Sequence, residues 1–432
     1  MNILIVTYNW PPRNTIGTHR PFSWAKYWSR AGATVTVLTA RKLFFDAPLD
    51  LDVPDLPGVE VHEAAFLRFL DRPRAAGATG QGGSRPAPRS LRSLKACIAG
   101  ATGLAVDPRA WWVRPAVKLG LDLVRTRRFD AIVSSFGPRA CHLVAHRLAT
   151  ACPSATWVAD YRDLWIGNPL APLRGARLRR ESRLETHTVG ARANLLTTVS
   201  EGLAKSLRTR FRQPVAVVLN GHDVVAKPGS PGAEPAVHAG PDLRLVHTGS
   251  LYGGTRDPSP LFRAARAWCE RGAGARRPRI AFYGSRCEGL DALVRQCGVE
   301  DLVLRGGHVS HAESLRHQRE ADALVLLESH SPAHEGVLTG KVFEYVASGR
   351  PVLCVGPAAG SEIDRLLRSC GVGIAVGIDE ALIERALGDL AAAGGPAWFR
   401  PDRDAIAALS REAQARRLLG LLEEARRCRQ AA

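Results

Sequence analysis

The stretch from 323 to 355 constrains the fold of this chain more than any other. Residues 323–327 and 351–355 are uninterrupted apolar runs of strand length, and between them lie a loop and one short helical segment. Continuous apolar runs are typical of strands that are buried on both faces of a parallel sheet. The stretch therefore predicts a strand, helix and strand unit of an α/β domain, with the helix beginning near the carboxyl end of the first strand.

The start of this helix carries groups that suit an anion. Thr339 is predicted to cap it, the N–H groups of 340–342 have no helical partners, and Lys341 adds a positive charge. Glu344 lies one turn beyond Lys341 on the same face, where a carboxylate can accept hydrogen bonds from sugar hydroxyls. The pattern predicts a site for a nucleoside diphosphate and its ribose. An ordinary α/β unit with a solvated lysine and glutamate is the alternative.

The run Lys-Val-Phe-Glu-Tyr at 341–345, followed by Ala-Ser-Gly-Arg-Pro-Val at 347–352, resembles the donor-site signature of GT-B glycosyltransferases, above all the retaining group called family 4. That signature has two glutamates separated by seven residues. Glu344 takes the second place here, whereas Gly336 stands in the first and a glutamate precedes it by one residue. The resemblance implies that Glu344 holds the ribose and that the preceding segment faces the donor sugar. The members of that segment are Glu335, Gly336, Val337, Leu338 and Thr339.

The segment 243–258 predicts a strand that ends in a glycine-rich loop. Its glycines allow backbone N–H groups to approach a diphosphate, and Arg256 can bind one through two hydrogen bonds. In the resembled family this loop carries an arginine and, six residues later, a lysine; Ser250 and Arg256 stand in those places. The resemblance further implies that two later turns border the nucleobase. The donor-binding residues predicted from these segments are Gly249, Ser250, Gly253, Gly254, Tyr283, Gly284, His308 and Val309. A plain loop between a strand and a helix is the alternative.

The N-terminal part opens with a strand at 3–6, a loop through Gly17, a helix and a second strand at 34–38. Gly17 lacks a side chain, so its backbone can approach a ligand closely. The segment has no Gly-x-Gly-x-x-Gly run, which disfavours a dinucleotide-binding dehydrogenase. The order of strand, Pro-Pro turn, glycine loop and helix resembles the first unit of the same glycosyltransferases.

A later strand of this part, 155–159, runs directly into Asp-Tyr-Arg-Asp-Leu-Trp at 160–165. Charged groups at the carboxyl ends of parallel strands are where open α/β sheets bind ligands. The run resembles an Asp-Phe-Arg-Asp-Pro-Trp stretch found in many relatives of this group, and a loop whose ion pairs only connect helices is the alternative. We predict that Gly17, Ser135 and Arg162 bind the acceptor. The predicted catalytic set is Arg256, Lys341, Asp160 and Asp163.

The formal charge of +18 comes almost entirely from arginine, which suits phosphate-rich ligands, anionic membranes and nucleic acids. No nucleic-acid fold signature accompanies it, so we expect no nucleic-acid partner. The basic segment 71–90 and the adjacent Trp111 and Trp112 predict peripheral contact with an anionic membrane or stacking on an acceptor ring. A tryptophan pair that only anchors a helix is the alternative.

Nine scattered cysteines show neither a disulfide framework nor zinc-ligand spacing, and no Asp-x-Asp pair stands at a suitable strand end. We therefore expect no metal, no cofactor other than a nucleotide-diphosphate sugar as co-substrate, and a reducing cytoplasmic location. No apolar run reaches the ~20 residues of a membrane-spanning helix. We expect the protein to lie at the inner face of a membrane only if the basic segment 71–90 binds that membrane.

We predict a GT-B glycosyltransferase whose two doubly wound Rossmann-like domains face each other across a cleft. The predicted divisions are an acceptor domain 1–224, a linker 225–242, a donor domain 243–400 and a helix 401–432 that packs back on the first domain through Leu409, Ala413, Arg416, Leu419 and Leu422. The predicted reaction transfers a sugar with retention and without metal to a lipid-linked glycan or a small metabolite, in bacterial glycan, glycolipid or natural-product biosynthesis. A nucleotide-sugar 2-epimerase of the same fold and a catalytically idle GT-B binding module are the alternatives.

Overall fold

A computed structural model of the chain describes most of the sequence. The described residues are 1–42, 48–65, 107–169, 171–223, 240–251, 254–272, 276–284, 287–334 and 336–431. The basic segment 71–90, the linker residues 225–239, Gly253 and Glu335 lie outside them.

The described residues form two compact units. Unit 1 comprises 1–219 together with 415–432, and unit 2 comprises 220–414. The last helix of the chain therefore begins in unit 2 and continues in unit 1.

Unit 1 is built on a parallel sheet of seven strands in the order β3-β2-β1-β4-β5-β6-β7. The central strands are almost wholly apolar and buried, as expected where helices cover both faces of a sheet. The strands are β1 Asn2–Val6, β2 Thr34–Ala40, β3 Val59–Ala64, β4 Ala131–Ser135, β5 Thr156–Tyr161, β6 Leu195–Thr198 and β7 Val215–Val217.

Helices cover this sheet on both sides, so that its core has two halves. Trp24 and Trp28 stack with ring centroids 5.8 Å apart on one side, and Trp112 is fully buried on the other, 5.7 Å from the ring of Tyr8. Trp112 is thus a core anchor, whereas Trp111 is exposed. The helices are α1 Ile16–Arg30, α2 Val113–Thr126, α3 Ala140–Ala151, α4 Gly175–Glu185 with a π-helical continuation Thr186–Gly190, and α5 Glu201–Arg208.

Unit 2 repeats the architecture with a parallel sheet of six strands in the order β10-β9-β8-β11-β12-β13. Its strands are β8 Asp242–Thr248, β9 Arg277–Tyr283, β10 Val303–Gly307, β11 Ala323–Leu327, β12 Val352–Val355 and β13 Gly373–Ala375. Its helices are α6 Ser259–Glu270, α7 Leu290–Gln296, α8 His311–Glu320, α9 Gly340–Val346, α10 Glu362–Ser369, α11 Glu380–Ala391 and α12 Arg403–Ala408.

Both sheets reverse their strand order once, as a doubly wound sheet must. The reversal lies between β1 and β4 in unit 1 and between β8 and β11 in unit 2. At such a point the loops that leave neighbouring strands diverge, which opens a crevice at the carboxyl edge of the sheet.

The final helix, α13 Arg411–Ala431, packs on unit 1 as predicted for the C-terminal helix. Ala415, Leu418 and Leu422 are fully buried there, and the indole N–H of Trp28 donates to the Ala415 carbonyl over 2.8 Å. Of the predicted contact residues, Leu419 and Leu422 pack there, whereas Arg416 is exposed and Leu409 and Ala413 lie in unit 2.

Candidate functional site

The crevice of unit 2 brings together predicted site residues and one unpredicted glutamate from three elements. The loop after β8 supplies Gly249, Ser250 and Arg256, the loop after β11 supplies Glu328, and α9 supplies Lys341. β11 positions Glu328 because its uninterrupted apolar run is buried on both faces of the sheet and ends at the polar loops of the carboxyl edge.

Arg256 and Glu328 form a largely buried ion pair that joins the two diverging loops. The Arg256 Nε lies 3.1 Å from a Glu328 carboxylate oxygen, and both side chains are about nine-tenths buried. Another guanidinium nitrogen donates to the Ser250 carbonyl over 2.9 Å. A charge-assisted pair of this kind is strong, since little solvent competes for it. The pair therefore fixes the guanidinium at the floor of the crevice.

Thr339 belongs to the same network instead of capping its helix. Its hydroxyl donates to the second Glu328 oxygen over 2.6 Å, and its side chain accepts no hydrogen bond from the helix. Thr339 stands at the N-cap position, but the predicted side-chain cap is wrong, because its hydroxyl is turned to Glu328 and accepts no N–H of the helix. Glu328 itself was not singled out from the sequence, although its place directly after the apolar run 323–327 was a signal for it.

Lys341 places an unpartnered ammonium group in the crevice. Its Nζ atom is buried and has no hydrogen-bond partner. A Cβ atom added to Gly249 would lie 2.8 Å from that nitrogen, so the ammonium lies against a backbone that has no side chain. Burial and, to a smaller extent, the nearby charge of Arg256 lower the pKa of Lys341 to about 7, while Glu328 and Glu344 act in the opposite direction. A buried cation without a partner is costly, and an anion would relieve that cost.

The run Phe-Glu-Tyr orients α9. Phe343 and Tyr345 are fully buried, and the Tyr345 hydroxyl accepts a 2.7 Å hydrogen bond from the Thr248 N–H at the end of β8. Burial raises the pKa of Tyr345 to about 12, so this hydroxyl stays neutral. Glu344 lies between these two residues in the sequence and remains partly exposed. Its negative charge acts to raise the pKa of Lys341. Two anchored rings thus hold Lys341 and Glu344 at the crevice.

Backbone alone forms the neighbouring part of the crevice. The Gly249 N–H donates to the Tyr283 carbonyl and the Gly284 N–H to the Gly307 carbonyl, each over 2.7 Å. A Cβ on Gly284 would overlap the Gly249 carbonyl. At Gly284 the backbones of two adjacent strand ends therefore approach at a distance that leaves no room for a side chain.

The remaining predicted donor residues are spread around this core. Gly336 has φ +84° and is buried, as is Leu338, while Val337 and Val309 are partly exposed and His308 and Gly254 are exposed. The ring of Tyr283 stacks on His317 with centroids 3.9 Å apart. Gly253 and Glu335 fall outside the described residues.

The crevice of unit 1 contains Arg162, as predicted from the run at 160–165. Its guanidinium lies beside the loops after β1 and β4, where Cβ atoms on Gly17 and Gly137 would collide with it. One of its terminal nitrogens pairs with Asp163 over 3.0 Å, and its buried Nε has no hydrogen-bond partner. The structure therefore brings together Gly17, Arg162 and Asp163.

Asp160 and Ser135, in contrast, are buried beneath this crevice. Asp160 is fully buried and accepts from Arg20 through two nitrogens at 2.6 and 3.0 Å, from Thr197 at 2.8 Å and from Ser135 at 3.3 Å. The sequence did not indicate Arg20 or Thr197, because both are far from Asp160 along the chain and come near it only in the folded sheet. With its oxygens so occupied, Asp160 fixes the strand ends and meets no substrate directly.

The arrangement in unit 2 suits an anion that spans two phosphates. Among the described residues, no group of three or more His, Cys, Asp or Glu side chains is arranged to hold a metal ion. In the same part of the chain, no helix combines the length and apolarity needed to cross a membrane.

No protein-family model matches the chain, and no curated protein matches it in sequence. Solved structures match it along nearly its whole length. Sucrose-phosphate synthase from Thermosynechococcus elongatus is 15% identical, with a TM-score of 0.63 and 98% of each chain covered.

Two further solved structures match over the same extent. A glycosyltransferase from Rickettsia africae is 10% identical, with a TM-score of 0.60 and 98% of each chain covered. Anabaena HepE, solved in complex with UDP and glucose, is 12% identical with a TM-score of 0.60, covering 98% of this chain and 99% of that one. Likeness at this identity establishes the fold alone, and it confirms the predicted GT-B fold.

Proposed function

We propose that this chain is a glycosyltransferase that takes its donor, a nucleotide-diphosphate sugar, in the crevice of unit 2. The observation that carries the proposal is the buried Lys341 ammonium without a hydrogen-bond partner, against the backbone of Gly249. A diphosphate would supply the missing negative charge. HepE, a protein of the same fold, has been solved with UDP and glucose, which fits a donor of this class.

The neighbouring residues have distinct roles in this proposal. Lys341 meets the diphosphate, and Glu344, one turn along α9, accepts hydrogen bonds from the ribose hydroxyls. Arg256 lies below, where its charge stabilises the diphosphate as the glycosidic bond breaks. Glu328 holds Arg256 in place and does not touch the donor. The segment Gly336–Thr339, anchored at Glu328, faces the sugar.

We propose transfer with retention, by attack on the face of the leaving group. The acceptor hydroxyl oxygen forms a bond to the anomeric carbon as the bond from that carbon to the diphosphate oxygen breaks. The bonding pair stays with the diphosphate oxygen, which also receives the hydroxyl proton. Because Lys341 and Arg256 supply positive charge to this leaving group, the proposal includes no metal ion. Asp163, which is partly exposed, is the carboxylate available to the acceptor.

The acceptor and the biological setting belong to the proposal as well. We place the acceptor on unit 1, at Gly17 and Arg162, and propose a reaction of bacterial glycan, glycolipid or natural-product biosynthesis in the cytoplasm. Peripheral contact with an anionic membrane is proposed for a lipid-linked acceptor, since basic residues near such a surface contribute ~1 kcal/mol each.

A screen of nucleotide-diphosphate sugars tests the function. Thermal shift identifies the donor, and the protein is then incubated with that donor, with and without an acceptor panel, in the presence and absence of EDTA. The proposal expects a stabilising donor and transfer that persists in EDTA with the anomeric configuration retained. An isomerised sugar from donor alone would show a 2-epimerase instead. The absence of any stabilising nucleotide sugar would contradict the proposed donor site.

A further inference from the structure

The crevice of unit 1 has the features of an anion site in its own right. Arg162 directly follows β5. Its guanidinium lies beside Gly17 at the start of α1 and Gly137 in the loop after β4, at the point where the strand order reverses. Gly17 and Gly137 make room for it, since a Cβ on either would lie too close to a guanidinium nitrogen. The buried Nε without a partner shows that the intramolecular contacts leave this cation incompletely satisfied.

Other guanidinium groups surround the same place. Arg109 and Arg162 both act electrostatically on the buried thiol of Cys141, whose Sγ accepts the Tyr8 N–H over 3.2 Å. Arg13 donates to the Tyr8 carbonyl, and its guanidinium carbon lies 4.3 Å from the centre of the Tyr8 ring. Three arginines from three separate segments thus converge around Tyr8 and Cys141.

The carboxylates near this cluster do not neutralise it. Asp160 is fully engaged with Arg20, so it offers nothing to the other arginines. Asp163 pairs with Arg162, but its side chain is 42% exposed and can turn towards solvent. Asp107 pairs with Arg109 and also accepts the Arg109 backbone N–H, so Arg109 is the better neutralised of the two arginines.

The backbone adds to this positive field. Helices α1 and α3 begin beside Arg162, at Ile16 and Ala140, and neither receives a hydrogen bond from a capping side chain. Several of their first N–H groups already donate to backbone carbonyls, as Thr18 does to Thr15 and Cys141 to Pro138, so the helices contribute their dipoles and the phosphate ligands are the arginines.

We infer that this crevice binds a phosphoryl group and that the acceptor substrate is a phosphorylated molecule. Arg162 is the principal ligand, with Arg109 contributing charge at longer range. That the phosphorylated molecule is an acceptor rests on the proposed function. The phosphate site itself can exist without transferase activity. The phosphoryl group can belong to a soluble sugar phosphate or to a polyprenyl phosphate.

Calorimetric titration of the full chain with inorganic phosphate tests the site. The titration uses the Lys341→Met protein, so that the crevice of unit 2 does not contribute, and chloride holds the ionic strength constant. Adding Arg162→Gln should raise the phosphate dissociation constant about tenfold to hundredfold, because hydrogen bonds to a charged group are lost. Adding Gly17→Ala should weaken binding as well, since the new Cβ displaces the guanidinium and leaves the charge unchanged.

Two matched controls separate the site from general effects. Arg125→Gln removes the charge of an exposed arginine in unit 1, and Gly420→Ala adds a Cβ with nothing within 4 Å. Both should leave phosphate binding unchanged. Binding that is absent in the Lys341→Met protein, or that survives both Arg162→Gln and Gly17→Ala, would overturn the inference.

Two further arms distinguish the sources of phosphate and the two proposals. Displacement of phosphate by glucose 6-phosphate favours a soluble acceptor, whereas Arg162-dependent flotation with polyprenyl-phosphate vesicles, compared with phosphatidylcholine vesicles, favours a lipid. Titration of the Arg162→Gln protein with UDP, GDP, ADP and dTDP monitors the donor site. Retained nucleotide binding with unchanged phosphate binding would overturn only this inference. Phosphate binding at Arg162 without any nucleotide binding would instead overturn the proposed donor site.

Discussion

At the scale of single residues, the account depends on one buried lysine. Lys341 lies on a helix whose neighbouring side chains, Phe343 and Tyr345, are in the core, and its Nζ atom is buried although the residue as a whole is partly exposed. Its pKa of about 7 follows from burial and from the charge of Arg256. The free protein therefore contains a mixture of charged and neutral Lys341 near neutral pH.

The first prediction is a pH dependence of donor affinity. A nucleotide-diphosphate sugar keeps a constant charge near neutral pH, and it favours protonated Lys341, so binding takes up a proton. Affinity should be nearly constant below the pKa of about 7 and then fall as pH rises, by at most about tenfold per pH unit. Calorimetry between mildly acidic and alkaline pH measures this. The Lys341→Arg protein should show a flat profile, and a flat profile for the wild type would refute the assignment.

The second prediction concerns the buried ion pair. Glu328→Gln leaves Arg256 buried and without its carboxylate, which should lower the free energy of unfolding by about 3–5 kcal/mol. The double variant Arg256→Met with Glu328→Gln should recover most of that loss, since neither member of the pair then leaves its charge behind. Glu320→Gln, at an exposed pair with Arg316, should cost only about 0–1 kcal/mol. Urea unfolding compares the three, and a cost of Glu328→Gln as small as that of Glu320→Gln would show that the pair is not buried in solution.

At the scale of elements, the alternation of apolar runs and polar strand ends specified most of what the structure shows. The run 323–327 and its neighbours predicted parallel strands, and the two sheets confirm them. The Gly-rich loop and the short helix were placed correctly because both are local patterns. Two ion pairs were not predicted. Glu328 lies 72 residues from its partner Arg256, and Arg20 lies 140 residues from its partner Asp160. Such long-range pairs form only when β11 lies beside β8 in unit 2 and when β4 and β5 lie beside β1 in unit 1.

The third prediction tests the close approach of β8 to α9. Gly249→Ala places a Cβ 2.8 Å from the Lys341 Nζ at a backbone φ of +110°. Gly289→Ala imposes a comparable φ of +83° in unit 2 but meets no atom within 4 Å. Both should cost about 1 kcal/mol of stability or more through backbone strain. Only Gly249→Ala should also weaken donor binding, by roughly tenfold or more, because it crowds a charge-assisted contact. Equal donor affinity in the two variants would show that Lys341 does not contact the donor.

At the scale of the whole molecule, α13 belongs to the stability of unit 1, although it is the last helix in the sequence. Its buried face comprises Ala415, Leu418 and Leu422. The sequence predicted that the helix packs on the first domain and included Leu422 correctly, but it also included Arg416, which is exposed. An arginine can cover apolar surface with its stem, so the pattern of the sequence alone admits both registers.

The fourth prediction follows from this packing. Leu418→Ala should lower the free energy of unfolding of unit 1 by about 2–5 kcal/mol, because it leaves a cavity under a fully buried side chain. Arg417→Ala, at an exposed position of the same helix, should have little effect. Urea unfolding followed by tryptophan fluorescence measures both, and a negligible effect of Leu418→Ala would contradict the docking of α13.

The central claim is that Lys341 binds the diphosphate of a nucleotide sugar, and one calorimetric titration tests it most directly. Wild type, Lys341→Met and the exposed-lysine control Lys205→Met are titrated below neutral pH with the nucleotide sugar that stabilises the protein most. Loss of a charged hydrogen-bonding group should raise the donor dissociation constant of Lys341→Met about tenfold to hundredfold, while Lys205→Met matches the wild type. A folded Lys341→Met protein that binds the donor as tightly as the wild type would contradict the account.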